Sequence, residues 1–129
     1  MKVDIVFAAA DLSTSQVSDK FEIPEGVDGI NADIGFPTTG APVGVLTIEE
    51  CLHGDPNGDW QPYSKDGSTT LSTAVNGTSA AGYLHFRDIA IAGPRFARFR
   101  YVRTSGGTGA RFNDCSTSAN NAPIVSFAS

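Results

Sequence analysis

The chain has 129 residues, 40% hydrophobic and 18% charged, with a formal net charge of −5. That suits one compact domain and is the composition of neither a disordered chain nor a membrane protein; no apolar stretch reaches the length of a membrane-spanning helix. The modest charge gives no ground for a nucleic-acid partner. Cys51 and Cys115 form no C-x-x-C pair, which speaks against zinc. A disulfide between them stays open, but the run MKVDIVFAAAD is broken by Asp4 and too short for a signal peptide, so both read as thiols of a protein made in a cytoplasm.

Taken in order, Val3, Ile5 and Phe7 alternate with Lys2, Asp4 and Val6, so residues 2–8 read as a first strand. Asp11 to Gln16 is a polar connection in which Ser13 and Gln16 have capping-box spacing, but no helical period follows. Phe21 and Ile23 mark a short strand stopped by Pro24, and Glu25 to Gly29 is a turn. Ile30, Ala32, Ile34 and Phe36 alternate with Asn31, Asp33 and Gly35, the pattern of a strand with one face buried and one wet. Pro37 to Pro42 is a loop. Val43 to His53 fits a short helix or a strand; the strand reading, with Leu46, Ile48 and Leu52 inward, is preferred. Gly54 to Asp59 then forms a hairpin tip and Trp60 to Tyr63 the returning strand. Leu71 to Val75 and Gly82 to Phe86 flank Asn76-Gly77, a strong turn signal, and read as another hairpin. Leu84 and Phe86 share one face of it, Tyr83, His85 and Arg87 the other. Ile89 and Ile91 lead to Gly93-Pro94, and Ile124 to Phe127 is a last strand. Eight to ten short strands without a convincing helix predict a single-domain, all-β antiparallel sandwich of jelly-roll type over residues 1–129.

The stretch from Phe96 to Cys115 concentrates charge as no other part does. Ala97, Phe99 and Tyr101 fall on one face of a strand and Arg98 and Arg100 on the other. Ser105 to Gly109 supplies residues that tolerate positive φ, and Ala110 and Phe112 restart the alternation, so a hairpin is expected to carry Arg98, Arg100, Arg103 and Arg111. All six arginines lie between Arg87 and Arg111, whereas residues 1–66 hold 12 of the 14 Asp and Glu. One reading is an ordinary solvated face. The sharper one is a partner interface at Arg98, Arg100, Arg103 and Arg111, because the planar guanidinium pairs well with carboxylates of a neighbouring chain.

Catalysis finds little support. His53 and His85 are the two histidines, and nucleophile-elbow, metalloprotease and Walker motifs are lacking. No catalytic residue, cofactor or metal ligand is assigned. Gly106 to Gly109 is not a phosphate loop, since no helix follows it. Asp55-x-Asn57-x-Asp59, with Asp66 at the twelfth position, has the oxygen spacing of a calcium loop, but Trp60 occupies the sixth, where the sharp turn wants glycine. Trp60 and Tyr63, with Tyr83 and Tyr101, could make a sugar-stacking platform or, more plainly, serve as packing.

Three segments carry a resemblance: Thr39-Gly-Ala-Pro-Val-Gly-Val-Leu, the acidic glycine-containing loop from Gly54 to Trp60, and Ala97-Arg-Phe-Arg-Tyr-Val-Arg-Thr-Ser-Gly-Gly-Thr-Gly-Ala. Together they resemble a group of small virion proteins of tailed bacteriophages, over a little more than half the chain. The resemblance implies a β-sandwich without catalytic residues, acting as a capsid decoration (cement) protein or as part of the neck or tail. Its implied partners are the major capsid protein or another virion protein and further copies of itself, a trimer being favoured, with assembly in the host cytoplasm. The expectation from a different class is a carbohydrate-binding module of a tail, neck or baseplate, using Trp60 and Tyr63.

Overall fold

The computed structural model describes residues 2–5, 7, 11–51, 59–64, 72–91, 94–112 and 124–128. These form ten strands: β1 (Lys2–Asp4), β2 (Gln16–Val17), β3 (Phe21–Ile23), β4 (Gly29–Phe36), β5 (Val43–Cys51), β6 (Trp60–Pro62), β7 (Ser72–Asn76), β8 (Gly82–Ile89), β9 (Arg95–Ser105) and β10 (Ile124–Ala128). One sheet has the order β1-β10-β4-β8. In the other, β2 and β3 lie along one edge of β9, β5 follows, and β6 and β7 lie along the far edge of β5. Every pairing is antiparallel. With β2–β3 and β6–β7 each taken as one lane, successive lanes pass from sheet to sheet except at β5–β6. Two antiparallel sheets, joined by connections that cross between them, thus form a β-sandwich over one core.

Period-two alternation supplies that core. Ile30, Ala32, Ile34 and Phe36 on β4 meet Leu46 and Ile48 on β5 and Ala97, Phe99 and Tyr101 on β9, all buried. Phe86 from one sheet meets Phe99 from the other edge-on, with ring centroids 5.2 Å apart. Full burial of side chains of this size contributes about 1.5–3 kcal/mol each. Val43 to Cys51 is a strand, paired with β9 on one side and with β6 and β7 on the other.

Three sequence expectations are corrected. The first strand is shorter than residues 2–8: β1 ends at Asp4, and Phe7 forms a bridge with Ser18. The segments around Asn76-Gly77 are not a hairpin, because β7 pairs with β5 in one sheet and β8 with β4 in the other. The turn carries the chain between sheets. Gly77 donates its amide to Pro42 O at 2.8 Å, and a Cβ there would meet the Pro42 ring at 2.7 Å. Finally, Ala110 and Phe112 are not a return strand. Gly106, Gly107 and Gly109 have positive φ, as a tight connection needs. They fold the chain so that Ala110 and Phe112 plug the end of the sandwich. Phe112 packs on Tyr101 and Phe7 at 5.5 and 5.1 Å.

Candidate interaction surface

β9 presents its even-numbered residues on the outer face of its sheet, and β5 presents its odd-numbered ones beside them. The register sets Glu49 opposite Arg98 and Thr47 opposite Arg100. Glu49 therefore lies between two guanidinium groups. Arg98 Nε donates to Glu49 Oε1 at 2.8 Å and Arg100 Nε to Oε2 at 2.9 Å. The covered carboxylate is only 7% exposed, while the Arg100 side chain is 43% exposed. Next along the pair, Arg95 Nη1 meets Glu50 Oε2 at 3.1 Å. The Arg98 guanidinium also lies over the indole of Trp60, 4.3 Å from its centroid. Such stacking is favourable and holds both groups in place.

The four arginines named from the sequence thus separate. Arg98 and Arg100 meet a carboxylate of their own chain. The residue that sequence reading missed is Glu49, whose signal was an acidic pair within a strand that could lie beside the Arg-x-Arg strand. Arg103 and Arg111 are exposed at the opposite end. Gly44, without a side chain, stands opposite Arg103 on β5, and the Arg103 Nε donates instead to Gly106 O at 2.7 Å.

That end is braced by Asp11. Its carboxylate accepts from Gly109 N at 2.8 Å and from both the amide and the hydroxyl of Ser13. These bonds, the Gly109 amide foremost, hold its pKa down at about 2, with a smaller contribution from the charge of Arg111. The glycine loop is tied to the 37–42 loop as well, through Gly107 N donating to Gly40 O at 2.8 Å. Tyr101 is buried beneath, and burial raises the pKa of its phenol.

At the Arg98 end the edge lane bulges. Val17 pairs with Arg100 and Phe21 with Ala97, so three residues, Ser18 to Lys20, stand opposite two. A bulge of this kind re-aims side chains. Ser18 turns inward: its amide donates to Phe99 O at 2.8 Å, and its hydroxyl accepts from Phe99 N at 2.9 Å. Asp19 and Lys20 are left exposed. Together with Ser18, Trp60 and Arg98 they line a groove of about 470 Å³.

The remaining sequence candidates are placed as follows. Tyr63, at 7% exposure, lies in the core and offers no ring beside Trp60. Tyr101 is fully buried, and Tyr83, 61% exposed, belongs to the other sheet. A four-ring sugar platform is therefore not assembled. Asp55, Asn57, Asp66, His53 and Cys115 lie outside the described residues. Among the described ones no group of three or more His, Cys, Asp or Glu is placed to hold a metal ion. Cys51 is buried. Comparison with models of known protein families, with curated proteins and with solved structures finds no match to this chain.

Proposed function

We propose that this chain is a non-enzymatic structural protein of a virion, a capsid decoration protein that docks on the head lattice through the glycine-loop end of β9. The observation that supports the reading is the exposure of Arg103 and Arg111 on either side of a glycine connection hydrogen-bonded to Asp11 and Gly40. A preorganised connection flanked by guanidinium groups binds carboxylates of a partner with little loss of conformational freedom. The sequence resemblance adds the kind of partner: a major capsid protein or another virion protein. Exposed Val102, beside Arg103, and Val45, across from Val102, would supply apolar contact. Binding at a symmetry axis of the lattice favours a closed ring, with the trimer as the expected form.

The test is co-sedimentation with particles of the parent phage. The double variant Arg103→Glu, Arg111→Glu changes exposed side chains, so its melting temperature should stay close to that of the parent. Its binding to particles should be lost. Full binding by a folded double variant would remove this end of the molecule as the contact, and failure of the parent protein to join particles would remove the virion role.

A further inference from the structure

The groove at the other end of β9 has a different chemistry. Asp19 brings an acceptor, Lys20 and Arg98 bring donors, and Trp60 brings an aromatic surface. We propose that this groove is a saccharide-binding site, in which a sugar lies along the stacked Arg98–Trp60 pair and its hydroxyls bridge Asp19 and Lys20.

The mixture of groups selects the ligand class. A sugar hydroxyl both donates and accepts, so it uses a carboxylate and an ammonium side by side. A phosphate or carboxylate ligand would meet Asp19 at close range. An apolar ligand would strip water from three charged groups for one ring of contact. The charges also nearly balance within the groove: Lys20 stands beside Asp19, and Arg98 is held by Glu49. That favours a neutral or weakly acidic sugar.

One side of the groove is tied in place before any ligand arrives. Glu49 holds the Arg98 guanidinium, and that group holds the indole at 4.3 Å. The bulge keeps Asp19 and Lys20 out of the ladder, while Ser18, buried and hydrogen-bonded to Phe99, anchors their backbone. Ordering costs on binding then fall mainly on the exposed side chains of Asp19 and Lys20. Tyr63, which the sequence grouped with Trp60, takes no part. Arg98 and Arg103 are five residues apart on β9, roughly 17 Å at strand rise. The site does not depend on the docking end, and the proposal stands or falls without it.

Trp60 is the single tryptophan of the chain, so intrinsic fluorescence reports on this groove. The experiment is a glycan array probed with the intact protein, followed by fluorescence titration with the strongest array ligand. The expected result is a saturable change in Trp60 emission at up to millimolar saccharide. Affinity should fall about tenfold or more in Asp19→Ala and in Lys20→Ala, the usual effect of losing a hydrogen bond to a charged group. Both side chains are exposed, so neither variant should shift the melting temperature. An array without a bound glycan overturns the proposal, as does binding that survives both substitutions. A Trp60 response to a hexaglutamate peptide and to no saccharide also overturns it, in favour of an acidic protein partner.

Discussion

Arg98 and Arg100, on the Trp60 side of β9, and Arg103 and Arg111, at and beyond its other end, come from one short stretch of sequence yet do different work. The first two share one covered carboxylate, and Arg98 also stacks on an aromatic ring. The second two are exposed, Arg103 at the end of β9 and Arg111 past the glycine loop. The difference lies in position: Arg98 and Arg100 share the outer face of β9, where β5 brings Glu49 opposite Arg98, whereas Arg103 is of the other parity with Gly44 opposite it, and Arg111 lies off the strand. A charged residue on a strand is thus structural or available according to its face and its cross-strand partner, and that partner is dozens of residues away in sequence.

The sharpest way to break the comparison is to unlock the braced end. Gly107 has φ +98, and a Cβ there would run into the backbone of Leu12 and Ser13. Gly107→Ala should therefore cost roughly 4 kcal/mol, combining left-handed backbone strain with overpacking. Gly26, at φ +90, has open space around its Cβ position, and Gly26→Ala should cost only about 1–2 kcal/mol. Denaturant midpoints of the two variants check this. Equal midpoints would mean that the glycine loop is not packed against the 11–13 segment.

The next effect belongs to the other end. Glu49→Ala removes the carboxylate that two guanidinium groups share, and should destabilise the fold by about 3 kcal/mol. This is the lower part of the range for a broken buried pair, because the arginine tips reach water. Arg103→Ala should move stability by less than about 0.5 kcal/mol. Unfolding midpoints in urea would show the contrast. The emission of Trp60 should shift in the folded Glu49→Ala variant and stay unchanged in Arg103→Ala, since only the former frees the stacked guanidinium. Similar losses for both would deny that the arginines differ in role.

How much of this was legible follows the range of each interaction. The alternation from Ile30 to Phe36 and from Ala97 to Tyr101 marks buried faces locally, and Pro24 ends its strand by lacking an amide. Those features need no knowledge of the rest of the chain. Asn76-Gly77 misled because a turn signal states that the chain turns, not which strand receives it; Pro42 and Pro37 against Gly77 decide that it crosses between sheets. Ala110 and Phe112 kept strand-like spacing because they too bury, but as a plug beneath a loop. Asp19 and Lys20 could not be singled out, since the bulge that exposes them exists only in the register of β2 and β3 against β9. Trp60 was visible as a candidate and Tyr63 was not separable from it, because both ring types serve cores and ligands alike.

The smallest effect concerns pH and separates the two carboxylates that organise the two ends. Asp11, half-buried beside the glycine loop that it braces, has its pKa lowered to about 2 by the Gly109 amide and Ser13. A carboxyl whose pKa is lower folded than unfolded binds protons more readily in the unfolded chain. Its contribution is therefore complete above the ordinary value of 3.8 and is lost as the pH falls from there through about 2. The amide of Gly109 should shift in step with Asp11 titration in an NMR series over that window, because protonation weakens the bond it donates. Asp11→Asn should abolish that step while leaving the Trp60 side of β9 unaltered. If the Gly109 amide of the parent protein instead held its position down to pH 2 while Asp11 titrated, the brace would lie in Gly107 and Gly40 alone, and the rigidity ascribed to the docking loop would owe nothing to its carboxylate.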